Sequence, residues 1–356
     1  MGLKIIGVMS GTSCDGLDLC LVTFDFKEQK YSYKIHKALM VDYPLDFQKK
    51  LKEAIHLSGL DLVKLSVEWT DFLVNAIQNN FDRKEYDLIS SHGHTIFHQP
   101  DLGFTYQIGI LDKIAAHLNC DVVGDFRPMD VALGGQGAPL VPVGDEKLFS
   151  EYDCCLNLGG IANISFKENE KRHALDVGPF NLVINQLVAS LGWLMDKDGL
   201  EAGRGVVNED LLIQLNKVPF YSIKGVKSLG KEYIDKNFSI IHTFPISLAD
   251  KLCTFNHHIA FQINELIAPK ASKVLITGGG AYNKHFINCL NTINSNIAWF
   301  VPNKETVDFK EALIFAFLGY LRVHNQINIY NSYTGAQKSC IAGHLVKGYE
   351  QSISAY

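Results

Sequence analysis

The densest group of chemistry-bearing residues is Ser10-Gly11-Thr12-Ser13-Cys14-Asp15-Gly16-Leu17-Asp18. Gly11 and Gly16 let a backbone turn sharply and bring its N–H groups to an anion. Ser10, Thr12 and Ser13 add hydroxyl donors, and Asp15 and Asp18 suit a divalent cation held directly or through water. Phosphate binding is the expected chemistry; the bland alternative is a plain hairpin loop. A second glycine corner, Gly159-Gly160 within Leu156–Asn163, offers another cradle of N–H groups, or a tight hairpin needed only for folding. Gly278-Gly279-Gly280 removes side-chain walls where a flat ring such as adenine could pass, with a helix expected from about Asn283. A helix start without a ligand would look the same.

Other groups are read with their alternatives beside them. Asp176, before Val177-Gly178-Pro179, suits a general base or a helix cap. His92, His94 and His98 invite a zinc reading, but no fourth ligand or matching Cys spacing lies nearby, and polar contacts to a sugar are favoured. Arg127, near Asp130 and the run Gly134–Pro139, suits a bidentate clamp on a carboxylate or phosphate, or a surface salt bridge. Glu311, at the start of a long apolar helix, could accept substrate hydrogen bonds. Gly225 to Lys231 has P-loop spacing, but Glu232 follows where Mg²⁺ binding needs Ser or Thr. A Rossmann fingerprint is absent, because both glycine corners lead into strands.

The elements that must position these residues alternate between strand and helix. Leu3–Val8 and Asp18–Asp25 read as strands around the first corner, and Asp153–Leu158 and Ala162–Phe166 around the second. Apolar spacing of three and four predicts helices over 45–57, 60–80, 111–118, 181–191, 246–267 and 309–323. Short strands are expected at 87–90, 121–124, 173–175 and 273–277. The class is α/β with two related lobes, 1–133, with or without the tail 346–356, and 134–345. Ordered crossovers are expected near 130–150.

Composition narrows the function. The 356 residues are 47% hydrophobic and 20% charged with a net charge of -5, which gives no footprint for nucleic acid. None of the eight cysteines forms a CxxC pair, so reduced thiols are expected. No run approaches the ~18 apolar residues of a membrane span, and the first residues lack a signal-peptide core. A cytoplasmic location follows as an expectation.

Taken in order, MSGTSCDGLD at 9–18, SHGHTIFH at 91–98, GDFRPMDVALGGQGAPLVP at 124–142, LNLGGIANISF at 156–166, DVGPFN at 176–181, MDKDGLEAGRG at 195–205, ITGGGAYN at 276–283, KEALIFAFLG at 310–319 and TGA at 334–336 resemble the 1,6-anhydro-N-acetylmuramic acid kinases. The resemblance implies two actin-like, ribonuclease H-like lobes with mixed sheets and ATP in the cleft between them. It also implies Mg²⁺ on the phosphates, peptidoglycan recycling and a homodimer. Asp176 then matches the catalytic base. Thr95, Arg127 and Glu311 match sugar contacts, with Asp130 beside them, and the three glycine segments, the last together with Asn283, match nucleotide contacts. Val177, Phe180, Asn185 and His94 depart from the family's usual residues, and 227–232 is a weakened family segment. Phe180 is expected to narrow or reshape the sugar side. A levoglucosan-like substrate, a non-catalytic nucleotide-binding module and a zinc hydrolase are the rival readings.

Overall fold

The structure is a computed structural model. It describes residues 2–349 except Thr12, Glu170, 224–226, Ser228 and Pro269. The P-loop-like stretch at 225–231 and the tail from 350 therefore lie partly or wholly outside the described residues.

The chain divides into two compact units. One runs to Leu148 and resumes at Phe309; the other is Phe149–Asp308. The boundaries differ from a split at 133/134 and 345/346. The long helix Lys304–Val323 is broken at Phe309 (φ −115°, ψ 16°), and everything after that break belongs to the first unit. Hydrophobic spacing places a helix at 309–323, wholly after the break; it does not show the turns from Lys304 that precede it in the other unit.

The first unit contains β1 (Lys4–Ser10), β2 (Gly16–Lys27), β3 (Lys30–Asp42), β4 (Leu88–Gln99), β5 (Phe104–Ile108) and β6 (Asp121–Gly124). The second contains β7 (Cys154–Leu158), β8 (Ile161–Glu168), β9 (Lys171–Pro179), β10 (Lys273–Thr277) and β11 (Ala298–Phe300). A last strand, β12 (His344–Val346), returns to β6. The main sheet orders are β3-β2-β1-β4-β6 and β9-β8-β7-β10-β11. In both, the first three strands are antiparallel neighbours and the fourth and fifth add in parallel. The units thus repeat one ribonuclease H-like α/β plan with mixed sheets, as the two glycine hairpins imply.

Burial explains the strand types. β1 is a continuous apolar run, buried on both faces as a central strand must be. Ile6 and Val8 enter a core with Trp69, Leu73 and Ile77 of the helix Gly59–Asn80, whose N-terminus is capped by Ser58. A Cβ on Gly7 would lie 1.9 Å from the Ala312 carbonyl oxygen, so the helix after Phe309 lies directly on the strand. β3 alternates, carries Lys30, Lys34 and Lys37, and sits at the sheet edge, where charge discourages further pairing. The second unit has its own core, built on Leu156, Ile164, Phe180, Phe255, Ile259 and Phe286.

Candidate active site

In open α/β sheets, ligands bind beyond the carboxyl ends of the parallel strands. Both units gather their chemistry-bearing residues there.

In the first unit, β1, β4 and β6 run parallel. Their carboxyl ends deliver the corner after Ser10, the histidine stretch and Arg127. The short strand expected at 87–90 extends through Gln99, so His92, His94 and His98 sit at even spacing on β4 instead of in a loop. Tyr43 supports the corner beneath. Its hydroxyl meets Ser10 Oγ at 2.8 Å and accepts from Trp69 Nε1 at 2.8 Å, while Ser10 Oγ also meets His94 Nδ1 at 2.8 Å. Ser10 is 2% exposed, so its hydroxyl braces the corner and is not an open phosphate donor. Ser13 Oγ donates to the exposed Asp15 at 2.7 Å, and Asp18 is half-buried on β2. Thr12 lies outside the described residues. Among the described residues no group of three or more His, Cys, Asp or Glu is arranged to hold a metal. His92 and His94 face Arg127 and Ser10 instead.

Burial pushes the His94 pKa down to about 4, and His92 falls well below its usual value through burial and then Arg127. Both stay neutral in the folded protein near pH 6, where the unfolded chain would bind protons. Stability from these groups is complete above the unfolded value of about 6.5 and is lost as pH falls toward the folded values. Each contributes up to about 1.4 kcal/mol per pH unit. The urea midpoint should therefore drop between pH 7.5 and 5.5, and His94→Gln should shrink that drop.

Arg127 opens the helix Arg127–Ala132. Its Nε and Nη2 donate to His92 Nε2 at 3.1 and 2.9 Å, and Nη1 donates to the Gly137 carbonyl at 2.6 Å. Burial lowers its pKa to about 10, with Glu311 opposing. Glu311 reaches solvent, yet the protein packed around it raises its carboxyl pKa, with Lys310 and Arg127 opposing. Thr95 is half-buried and accepts from Gln107 Nε2 at 3.3 Å. Asp130 plays a different part from the one expected. It is fully buried, and its oxygens accept from Gly137 N at 2.7 Å and Thr334 Oγ1 at 2.7 Å. It anchors the glycine run and the TGA segment and offers no open contact.

In the second unit, β7, β9 and β10 end on one edge. Asp176 lies within β9, half-buried, and does not cap the following helix Asn181–Val188. Its Oδ2 accepts from Leu229 N at 2.8 Å, and its own N–H donates to the Lys227 carbonyl at 3.0 Å. Lys227 lies 4.4 Å over the Phe220 ring, and burial lowers its pKa. The Gly159-Gly160 corner is tied to the helix start: Phe180 N and Leu182 N donate to Gly160 O at 2.8 and 3.1 Å.

The glycines divide by what holds them. Gly16 must be glycine because a Cβ would lie 2.6 Å from Val41 O, and Gly280 because one would lie 2.4 Å from the Phe180 ring. Gly278 has φ +81°. Gly11, Gly159 and Gly279 have neither a positive φ nor a contact shorter than 3.4 Å waiting for a Cβ. Folding alone does not explain these three. A ligand pressed against the backbone would.

Two expectations in this unit need correction. Phe180 is fully buried with its ring centroid 4.5 Å from that of Phe286, so it fills the core and does not line a substrate surface. Asn283 is 7% exposed. Its Oδ1 caps the helix Lys284–Ile293 through Phe286 N at 2.9 Å, and its Nδ2 donates to Asn256 Oδ1 at 3.1 Å. It fixes the turn after Gly280 and has little left for a nucleotide.

A family model described as anhydro-N-acetylmuramic acid kinase matches residues 3–348. The anhydro-N-acetylmuramic acid kinase of Shewanella denitrificans is 36% identical over 366 residues, covering 95% of this chain and 96% of that protein. The protein of the same name from Caldanaerobacter subterraneus is 32% identical, covering 95% and 96%. That from Francisella tularensis subsp. novicida is 31% identical, covering 96% and 97%. With matches of this extent, the chain belongs to the anhydro-N-acetylmuramic acid kinase family and is a kinase, a phosphotransferase with an alcohol group as acceptor.

Proposed function

We propose that this kinase opens 1,6-anhydro-N-acetylmuramic acid with water and phosphorylates O6 from ATP, giving N-acetylmuramic acid 6-phosphate in peptidoglycan recycling. The observation that carries the mechanism is Asp176. It is a half-buried carboxylate on the carboxyl edge of its sheet, held in one orientation by the Leu229 amide. Asp176 takes a proton from the water that attacks the anomeric carbon, and the C1–O6 bond breaks. The freed O6 then attacks the γ-phosphorus, and ADP leaves. Backbone N–H groups at the corners 11–16 and 159–160 stabilise phosphate charge, and Gly278-Gly279-Gly280 accommodates adenine. Thr95, Arg127 and Glu311 hold the sugar, Arg127 taking its lactyl carboxylate.

Mg²⁺ would neutralise phosphate charge. It usually keeps several waters and needs only one or two carboxylates. The exposed Asp15 and half-buried Asp18 fit that modest demand, directly or through water. A homodimer in the cytoplasm completes the reading. No helix among the described residues is long and apolar enough to cross a membrane.

The test is phosphorylation of 1,6-anhydro-N-acetylmuramic acid compared with levoglucosan, with product mass showing addition of both water and phosphate. Preference for levoglucosan, or a product without added water, would overturn the reading. The open glycines give a second check. Gly159→Ala should leave the melting temperature within about 2 °C yet raise the KM for ATP about tenfold, the equivalent of ~1.4 kcal/mol of binding.

A further inference from the structure

Arg127 has an unusual set of partners for a half-buried guanidinium. Three of its five N–H groups are engaged, two by one imidazole nitrogen and one by a carbonyl. Among the described residues no carboxylate forms an ion pair with it; Glu311 acts on it only through its field. Guanidinium groups in such surroundings are normally paired with an acid. Here a cation is held by neutral acceptors, which leaves its charge for something else.

Three neighbours hold the imidazole: Phe315, Gly93 and Arg127. His92 is 5% exposed, its ring centroid lies 4.7 Å from that of Phe315, and its Nδ1 sits 3.0 Å from the Gly93 carbonyl. A carbonyl only accepts, so Nδ1 carries the hydrogen and Nε2 is the lone-pair nitrogen. That nitrogen receives both N–H groups on the Nε–Nη2 side of Arg127. This is the side a carboxylate would otherwise take with two parallel bonds. One N–H remains on each terminal nitrogen.

We infer that His92 is a positioning residue for substrate recognition: it occupies the Nε–Nη2 side of Arg127 and turns the guanidinium so that the two terminal nitrogens receive the sugar's carboxylate. The inference rests on the reading of Arg127 as the lactyl contact. It assigns to His92 a role in selecting acidic anhydro sugars over neutral ones, exerted entirely through Arg127.

The experiment compares 1,6-anhydro-N-acetylmuramic acid with the same sugar carrying its carboxylate as a neutral amide. His92→Phe keeps a ring against Phe315 and removes the acceptor. It should raise the KM for the acid about tenfold and leave kcat, the KM for ATP and the KM for the amide within about threefold. His92→Gln, whose oxygen reaches near the Nε2 position, should restore most of the loss. In an Arg127→Lys background, His92→Phe should add nothing further, because the residue it orients is gone. Equal losses on acid and amide, or an undiminished effect in the Arg127→Lys background, would overturn the inference. Should His92→Phe fail to fold, His92→Asn, too short to reach Arg127, is read against His92→Gln with the same outcomes. Absence of acid-sugar turnover by the unmodified enzyme would instead remove the proposed function, and this inference with it.

Discussion

Asp176→Asn should lower kcat on the anhydro sugar by about 10²–10⁴-fold, the usual contribution of a positioned general base, or by more. The KM for ATP should stay within about threefold. The reason lies in two of the hydrogen bonds at this position. The Asp176 amide donates to the Lys227 carbonyl, and the carboxylate accepts from the Leu229 amide at 2.8 Å. An asparagine carbonyl oxygen can still accept from Leu229, so the strand keeps its contacts to Lys227 and Leu229. Only the capacity to take a proton is lost. Initial rates of ADP release, with circular dichroism to verify the fold, check this. A variant with near-normal kcat would show that the proton goes elsewhere.

The largest expected effect on stability comes from the residue just before Glu311. Lys310 Nζ lies 2.6 Å from Asp145 Oδ1, with the two side chains 5% and 4% exposed. Removing one partner of a buried pair leaves a charge in a medium that solvates it poorly, at a cost of about 3–5 kcal/mol. Lys310→Met should therefore destabilise the first unit by that amount, and Lys310→Met with Asp145→Leu should recover much of it. Lys50 and Glu68 stand at nearly the same separation, 2.7 Å, but about half-exposed. Lys50→Met should cost no more than about 1 kcal/mol, because water already solvates both charges. Calorimetric melting of the three variants reads the contrast. Equal losses for Lys310→Met and Lys50→Met would mean that burial is not what sets the cost.

The glycine corners, the α/β class and the doubled plan were legible because each depends on local pattern. The Gly159-Gly160 turn, the strand Lys273–Thr277 and the helix Gly59–Asn80 all follow from turn residues and apolar spacing. The histidine stretch was harder. Even spacing of His92, His94 and His98 fits one face of a strand as well as it fits zinc, and only tertiary neighbours show that His92 meets Arg127 and His94 meets Ser10. Asp130, Asn283 and Ser10 illustrate one error with one cause. Each is a polar residue inside a glycine-rich segment, and sequence cannot show that its polar atoms are already spent on backbone or on buried neighbours. Tyr43 and Trp69, which brace the first corner, carry no local signal at all. The Leu229 amide at Asp176 is a backbone contact across 53 residues and leaves no trace in residue type.

The break at Phe309 bears on how the molecule is made. The helix after it covers Gly7, a residue at the opposite end of the chain, and its Gly319 lies so close to β4 that a Cβ would be 2.5 Å from Ser90 Oγ. During synthesis the first sheet must wait, with one face bare, until residues beyond 309 have left the ribosome. The segment Phe149–Asp308 carries all its own strands and core, so it can finish first. The middle of this chain is then the earliest part to mature, and its beginning and end complete each other last.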